Sequence, residues 1–280
     1  MKQVVRKLGI QCAMASLRAA IRSQGLNELT DRLRQIVPDV SDQYSMASAS
    51  SGMEAMWDVS MRGVHAFQVH ETLEALRSIG RPSLVVADIG DSSGNHGKYL
   101  KALGGSLIEK FVSVNLDPIA VEKVRSKGGE AVLCRAENIA STGISPDVFI
   151  SFEMLEHLIS PIEFLHLIAT KTEAEYFICS IPYVRRSRFG GRELRCPEQA
   201  MPSKLVAESL HLFELNPEDW GRLFRFCGFK VERTAIYTQY PRAGLWRVMQ
   251  PLWKQLDFEG FALFFLKRDL SVANRYQDWP

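Results

Sequence analysis

Leu84-Val-Val-Ala-Asp-Ile-Gly-Asp-Ser-Ser-Gly-Asn-His-Gly97 is the stretch that decides the fold. Its first six residues are apolar except for Asp88, and they give way at Gly90 to small, turn-forming residues. A short apolar run that ends in this way reads as a strand buried on both faces, as in a parallel sheet. Glycines at 90, 94 and 97 let the backbone approach a ligand closely, and a helix starting here points open N–H groups toward it. The loop therefore suits a nucleotide-type cofactor. Ser92 stands where a G-x-G-x-x-G dinucleotide fingerprint needs glycine, and no Gly-Lys-Ser/Thr follows, so a Walker loop is excluded.

Downstream, strand candidates at 111–116, 131–134, 148–152, 176–181, 229–237 and 261–266 alternate with helical stretches at 98–103, 120–127, 162–170 and 217–227. That alternation predicts one α/β domain over 81–280, a doubly wound and mostly parallel seven-stranded sheet with ligands at the carboxyl ends of its strands. Two connections, near 182–211 and 238–259, are long enough to count as insertions. Upstream, residues 1–80 read as a helical extension, broken at Pro38 and in the Ser45–Gly52 stretch. No acidic residue precedes Glu28, whereas Lys2, Arg6, Lys7, Arg18 and Arg22 are basic. A transit peptide has that composition, but Leu26, Leu29, Leu33 and Val37 carry an apolar stripe onward, as a structural arm would.

Lys+Arg 34 against Asp+Glu 32 is too even for a surface that grips nucleic acid throughout, so an anionic partner would meet a local patch. Cys12, Cys134, Cys179, Cys196 and Cys227 form no C-x-x-C pair, and reduced thiols in the cytoplasm are expected. The apolar run 260–266 is far short of the roughly 20 residues of a spanning helix. Membrane contact would be peripheral, through the basic arm. The sequence leaves the oligomeric state open.

The glycine loop resembles motif I, D-x-G-x-G-x-G, of class I S-adenosylmethionine-dependent methyltransferases, which have a Rossmann-like fold. Similar blocks extend over 84–267, about two-thirds of the chain. The resemblance implies S-adenosylmethionine as cofactor, held by Asp88, Gly90, Asp91, Ser92 and Gly94. Val112-Ser-Val-Asn115-Leu-Asp-Pro118 is similar to the family's second strand, whose acidic residue holds the ribose. Asn115 stands in that position beside Leu116, with Asp117 as a substitute or a plain helix cap. Arg135-Ala-Glu-Asn-Ile139 is similar to the adenine block D-A-E-N-L-P, which implicates Ala136 and Glu137. Asp147–Leu158 matches the fourth strand and its turn, with Phe152 at the cofactor.

Glu153, Glu156 and His157 form E-x-x-E-H at the end of that strand. On a helical turn, i, i+3 and i+4 share a face, so two carboxylates and an imidazole would converge, a mixed oxygen and nitrogen set suited to a divalent ion. His211-Leu-Phe-Glu214 resembles the H-x-F-E block that completes a magnesium site in small-RNA 2′-O-methyltransferases. The first half also resembles ubiquinone-pathway O-methyltransferases. Carried over by position, the ligands to Mg2+ or Mn2+ are Glu153, Glu156, His157 and His211, with His157 or His211 as the base. E-H-L also recurs in metal-free methyltransferases, and His211 reads equally as a capping histidine.

Five arginines between Arg185 and Arg195 could clamp an anionic acceptor or form a solvated loop. Leu245, Met249, Leu252 and Leu256 recur at helical spacing and read as core or lid. The expected acceptor is a hydroxyl of a small molecule, glycan or glycolipid, with a vicinal diol favoured and RNA disfavoured for want of an RNA-binding module. Ser92, Asn115 and Arg135 support the alternative of a non-catalytic scaffold, and the Glu/Glu/His/His set argues against it.

Overall fold

The computed structural model describes residues 2–41, 51–205, 210–255 and 259–276. Of the expected features, most of the 45–52 break and Leu256 lie outside them.

Strands β1 (Leu84–Ile89), β2 (Ile108–Asn115), β3 (Glu130–Leu133), β4 (Val148–Phe152), β5 (Tyr176–Pro182), β8 (Phe229–Thr238) and β9 (Gly260–Arg268) form a seven-stranded sheet in the order β3-β2-β1-β4-β5-β9-β8. The first five run parallel, and β9 is antiparallel to both neighbours. A two-stranded ribbon, β6 (Arg188–Phe189) with β7 (Phe213–Glu214), lies in the first insertion. The helices are α1 (Lys2–Ser23), α2 (Asn27–Ile36), α3 (Ser51–Ser78), α4 (Asn95–Gly104), α5 (Pro118–Ser126), α6 (Pro161–Lys171), α7 (Arg192–Arg195), α8 (Pro217–Cys227) and α9 (Gln250–Gln255). The order reverses between β1 and β4, the switch point at which a doubly wound sheet opens a crevice.

Alternation along the strands builds two cores. Leu84 and Val86 of β1 pack with Leu17, Phe67, Leu76 and Tyr99 from α1, α3 and α4, while Ala87 and Ile89 face Phe164, Ile168 and Phe224 from α6 and α8. The helices of the first 80 residues thus share a core with the sheet. Leu26, Leu33 and Val37 of the anticipated stripe are buried, and Leu29 is half-buried. The arm also covers an edge of the sheet. Gln24 donates to Thr238 O (2.9 Å) and accepts from Thr238 N (3.0 Å) on the outermost strand β8.

Element ends differ where polar residues disguise them. β2 starts at Ile108, which pairs with Leu84 of β1; exposed Glu109 bulges out and exposed Lys110 resumes the pairing at Val85. α4 starts at Asn95, directly on the glycine turn. Asp117 and Asn216, each followed by proline at the first helical position, cap α5 and α8 with side-chain oxygens.

Candidate active site

The glycine loop leaves β1 at Ile89 and enters α4. Gly90 (φ 98°) donates to Val114 O at 2.8 Å, which ties the turn to β2. Buried Asp91 accepts from Ser93 N (3.1 Å) and Gly94 N (2.8 Å) through Oδ1 and from Ser113 Oγ (2.6 Å) through Oδ2. Asn115 donates to Asp91 O (2.9 Å) and accepts from Asp117 N (2.8 Å). Asp91 and Asn115, both expected at the cofactor, are therefore engaged in shaping the loop, and Asp117 caps α5 through Ile119 N (2.9 Å). Ser92 lies half-buried between them. A Cβ on Gly97 would fall 2.7 Å from Phe111, so this glycine lets α4 lie close on the sheet. Gly94 needs its left-handed φ of 76°, since a Cβ there would make only ordinary contact with Val124.

On the outer side, exposed Leu116 and Leu133 line a groove with Arg135 and Asn138. Ala136 is buried, and Glu137 is exposed and lies 3.5 Å from Arg135.

On the inner side runs a buried polar chain with no local signature in the sequence. Gln68 of α3 donates to Ser180 Oγ (2.8 Å), and Ser180 donates to Glu153 Oε1 (2.7 Å). Gln68 Oε1 lies 3.1 Å from His96 Nε2, and His96 Nδ1 is 3.7 Å from Asp88 Oδ2. Phe152 sets its ring edge against His96, with centroids 4.7 Å apart. Burial and the nearby Asp91 push the Asp88 carboxyl well up, while burial brings His96 down to about 4. Burial also raises Glu153 to about 8 against the lowering bond from Ser180.

The E-x-x-E-H turn is not the helical turn its spacing suggests. Glu153 is at φ 52°, and a 3-10 turn covers only Leu155–His157, so the Glu153 carboxyl turns inward to Ser180. The remaining residues do converge. Glu156, His157 and His211 place one ligand atom each within 4.8 Å of one another. His157 Nδ1 lies 3.0 Å from Leu210 O, an acceptor only, so that nitrogen carries the proton and Nε2 is left with the lone pair. His211 Nδ1 lies 2.9 Å from Glu214 Oε1, and Arg188 donates to the other Glu214 oxygen. Burial alone would raise Glu214, but the bonds from His211 and Arg188 outweigh it and hold the carboxyl low. Nδ1 of His211 thus donates as well, which presents Nε2. Glu156 is 1% exposed, and neither of its oxygens finds a hydrogen-bond partner on another residue. Burial, then Glu153 and Glu214, push it well up. A buried carboxylate without donors, beside two imidazoles fixed through their far nitrogens, is the arrangement a divalent cation satisfies. The residues present fit such an ion.

The first insertion brings His211 here. Leu212 N donates to Glu156 O (2.7 Å), and β7 lies against the 155–157 turn. Its arginines serve this scaffold more than an open clamp. Arg188 holds Glu214, Arg195 donates to Gly190 O (3.1 Å), and Arg185 contacts Tyr240 (3.2 Å) and Glu259 (3.3 Å). Arg186 is exposed. Glu214, Gln68 and Ser180 are the residues that sequence reading did not assign to the site. Glu214 stood in the H-x-F-E block, whereas Gln68 and Ser180 carry no signal of their own.

Sheet order, switch point and loop together define the class I methyltransferase fold. Solved structures agree: the methyltransferase bound to the Haloferax volcanii Trm112 methyltransferase activator aligns with a TM-score of 0.52 at 15% identity, covering 77% of this chain and 95% of that one. A Galdieria sulphuraria protein described as a sarcosine dimethylglycine methyltransferase aligns with a TM-score of 0.52 at 10% identity, covering 87% and 98%. No family model and no curated protein matches the chain.

Proposed function

We propose that the chain is an S-adenosylmethionine-dependent methyltransferase that O-methylates a hydroxyl with a neighbouring hydroxyl, on a sugar of a glycan or glycolipid precursor, with the help of Mg2+ or Mn2+. The observation that carries this reading is the donorless Glu156 carboxyl beside His157 and His211, one strand away from the glycine loop.

S-adenosylmethionine, when bound, supplies a methyl group on a sulfonium, open to in-line displacement. A divalent ion, when bound, lowers the pKa of a hydroxyl on it. Glu156, His157 and His211 would hold the ion, while Glu153, the second carboxylate of the expected set, turns to Ser180. The 90–94 turn, Asn115, Leu116 and the Ala136–Glu137 edge would receive the cofactor, with Phe152 and Asp88 beneath it. The base would be whichever imidazole keeps its Nε2 off the ion; His211 suits that role better, because buried Glu214 would stabilise the charge that forms on the ring, and the ion would then rest on Glu156 and His157. His157 faces only a neutral carbonyl.

The bonds that Asn115 makes within the loop through both its amide nitrogen and its oxygen favour a second reading, a methyltransferase-fold binding protein without catalysis. Calorimetry with S-adenosylhomocysteine, followed by methyl-transfer assays on simple glycosides and catechol with and without EDTA, tests both. The enzyme reading expects product binding in either buffer, turnover only with metal, and loss of turnover when one hydroxyl of the diol is removed. Turnover in EDTA removes the metal; product binding without any turnover removes catalysis.

A further inference from the structure

The connection between β8 and β9 carries apolar side chains on two opposite faces. It runs through a 3-10 turn, Leu245–Met249, straight into α9. Its inner face is anchored. Trp253 is 3% exposed and donates to Ser16 Oγ of α1 at 3.1 Å, and Met249 packs on the core. At the base, Tyr240 donates to Glu259 (2.8 Å) and accepts from Gln250 (3.0 Å). The stripe anticipated as core or lid is thus split: Met249 faces the core, whereas Leu245 is 82% exposed and Leu252 38%, with Val248 beside them at 70%. Spaced three and four residues apart, these side chains share the outward face.

Around them cations predominate: of the connection's two acidic residues, Asp257 lies outside the described residues and Glu259 is held by Arg185 and Tyr240. Arg242, Arg247 and Lys254 are exposed on the same connection, and Arg18 and Arg22 are exposed on α1, against which the 3-10 turn packs. No aspartate or glutamate occurs in residues 1–27 or 233–256. Arg18, Arg22, Arg247 and Lys254 have no carboxylate partner among the described residues. The whole chain is nearly neutral at +2, so this concentration of cations is local.

We propose that this face seats the protein on an anionic bilayer surface, with Leu245, Val248 and Leu252 entering the headgroup layer and the surrounding arginines and lysine meeting lipid phosphates. Apolar side chains ringed by cations at an interface gain from both burial and charge. A nucleic acid is the poorer occupant, since the aromatics that would stack on bases are turned inward: Trp253 is buried and Trp246 half-buried. The inference stands apart from the methyl-transfer reading, because none of these side chains belongs to the candidate site. The connection does leave the sheet at the site's own rim, where Tyr183 N donates to Gly260 O at 2.8 Å.

The test is co-sedimentation of the full chain with vesicles of pure phosphatidylcholine and of phosphatidylcholine mixed equally with phosphatidylglycerol. The protein is expected to bind the mixed vesicles and ignore the neutral ones. Replacing Arg242, Arg247 and Lys254 together by Gln should weaken partitioning on the order of 10- to 100-fold. Replacing Leu245, Val248 and Leu252 together by Ser should weaken it comparably while leaving the charge unchanged. Thermal melting of both triple variants at the wild-type temperature excludes a folding effect. Absence of binding to mixed vesicles, or wild-type binding by the serine variant, would overturn the proposal. So would a dimer in light scattering that the serine variant dissolves, which would assign the face to a second copy, or tighter binding to single-stranded RNA than to vesicles. Product calorimetry on the same variants should be unchanged, so either outcome leaves the enzymatic reading to its own test.

Discussion

Two clusters in this molecule each bring together carboxylates and imidazoles, the first fully buried and the second buried only at Glu156. Asp88, Asp91 and His96 lie beneath the glycine loop, and Glu156, His157 and His211 lie at the end of β4; in each, candidate ligand atoms fall within 4.8 Å of one another. Their hydrogen bonds separate them. Asp91 accepts from two backbone amides and a serine hydroxyl, and His96 sits between Gln68 and Asp88, so that cluster braces the loop. Glu156 accepts from no other residue, and each histidine beside it is held by the nitrogen remote from a ligand. Proximity of acidic residues and histidine identifies a candidate; the donors on Asp91 mark the first cluster as scaffold, although Asp88 Oδ2 there has no hydrogen-bond partner, and the lack of a donor from any other residue on both Glu156 oxygens marks the second as a ligand set.

The largest effect expected on either side of this comparison is on turnover. His211→Ala should lower methyl transfer on the order of 100-fold or more, since it removes either a ligand of the ion or the base. Calorimetry should show S-adenosylhomocysteine bound as before. Equal loss of product binding would mean that the two clusters act as one.

Next comes stability at the loop. Asp91→Ala leaves two amides and the Ser113 hydroxyl without their acceptor and should cost about 3 kcal/mol in urea unfolding. A cost near zero would show that water replaces the carboxylate and that the loop does not depend on it.

Removing the other carboxyl should have the opposite sign. In metal-free protein, Glu156→Gln should raise stability by about 1–2 kcal/mol, because an isolated buried carboxyl is replaced by a neutral group. The same change should abolish any thermal stabilisation by Mn2+. Glu156 is raised in the folded state above its ordinary 4.5, so its unfavourable contribution is absent below that pH and grows as pH rises. The advantage of the glutamine variant over wild type should therefore widen from pH 4 upward in parallel melts. A constant gap would mean that the carboxyl is solvated.

The smallest effect is expected at Gly94, where alanine should cost about 1 kcal/mol through the left-handed backbone with little change in product affinity. A large loss of affinity at unchanged stability would give Gly94 a direct part in cofactor approach.

Much of this was legible in order along the chain. A parallel strand buried on both faces is written as an unbroken apolar run, so 84–89 and 148–152 could be read to the residue, and the Asp117-Pro118 and Asn216-Pro217 pairs marked helix starts. His157 and His211 were legible as partners only through resemblance, because 53 residues of chain separate His157 from Leu210, whose carbonyl orients it. The inward turn of Glu153 was not legible, since a left-handed glutamate breaks the helical spacing that placed it with Glu156. Nor was Gln68, a polar residue on a long helix that matters only because β5 brings Ser180 to it. The stripe expected on the β8–β9 connection divides: Met249 packs on the core beside Trp253, while Leu245 and Leu252 face solvent, a split that helical spacing alone does not reveal.

The pairing of α1 with the far end of the chain also sets an order of events in folding. Ser16 bonds to Gln239 and receives Trp253, and Gln24 bonds to Thr238, across sequence separations of 223, 237 and 214 residues. Contacts this distant form late, after the local helices and the parallel strands have collapsed. On a ribosome, α1 emerges well before the partners that close on it. Until Thr238 has left the exit tunnel, a cationic helix with an open apolar seam must persist beside a sheet whose last strand does not yet exist, a nascent state exposed to chaperone capture and misassociation.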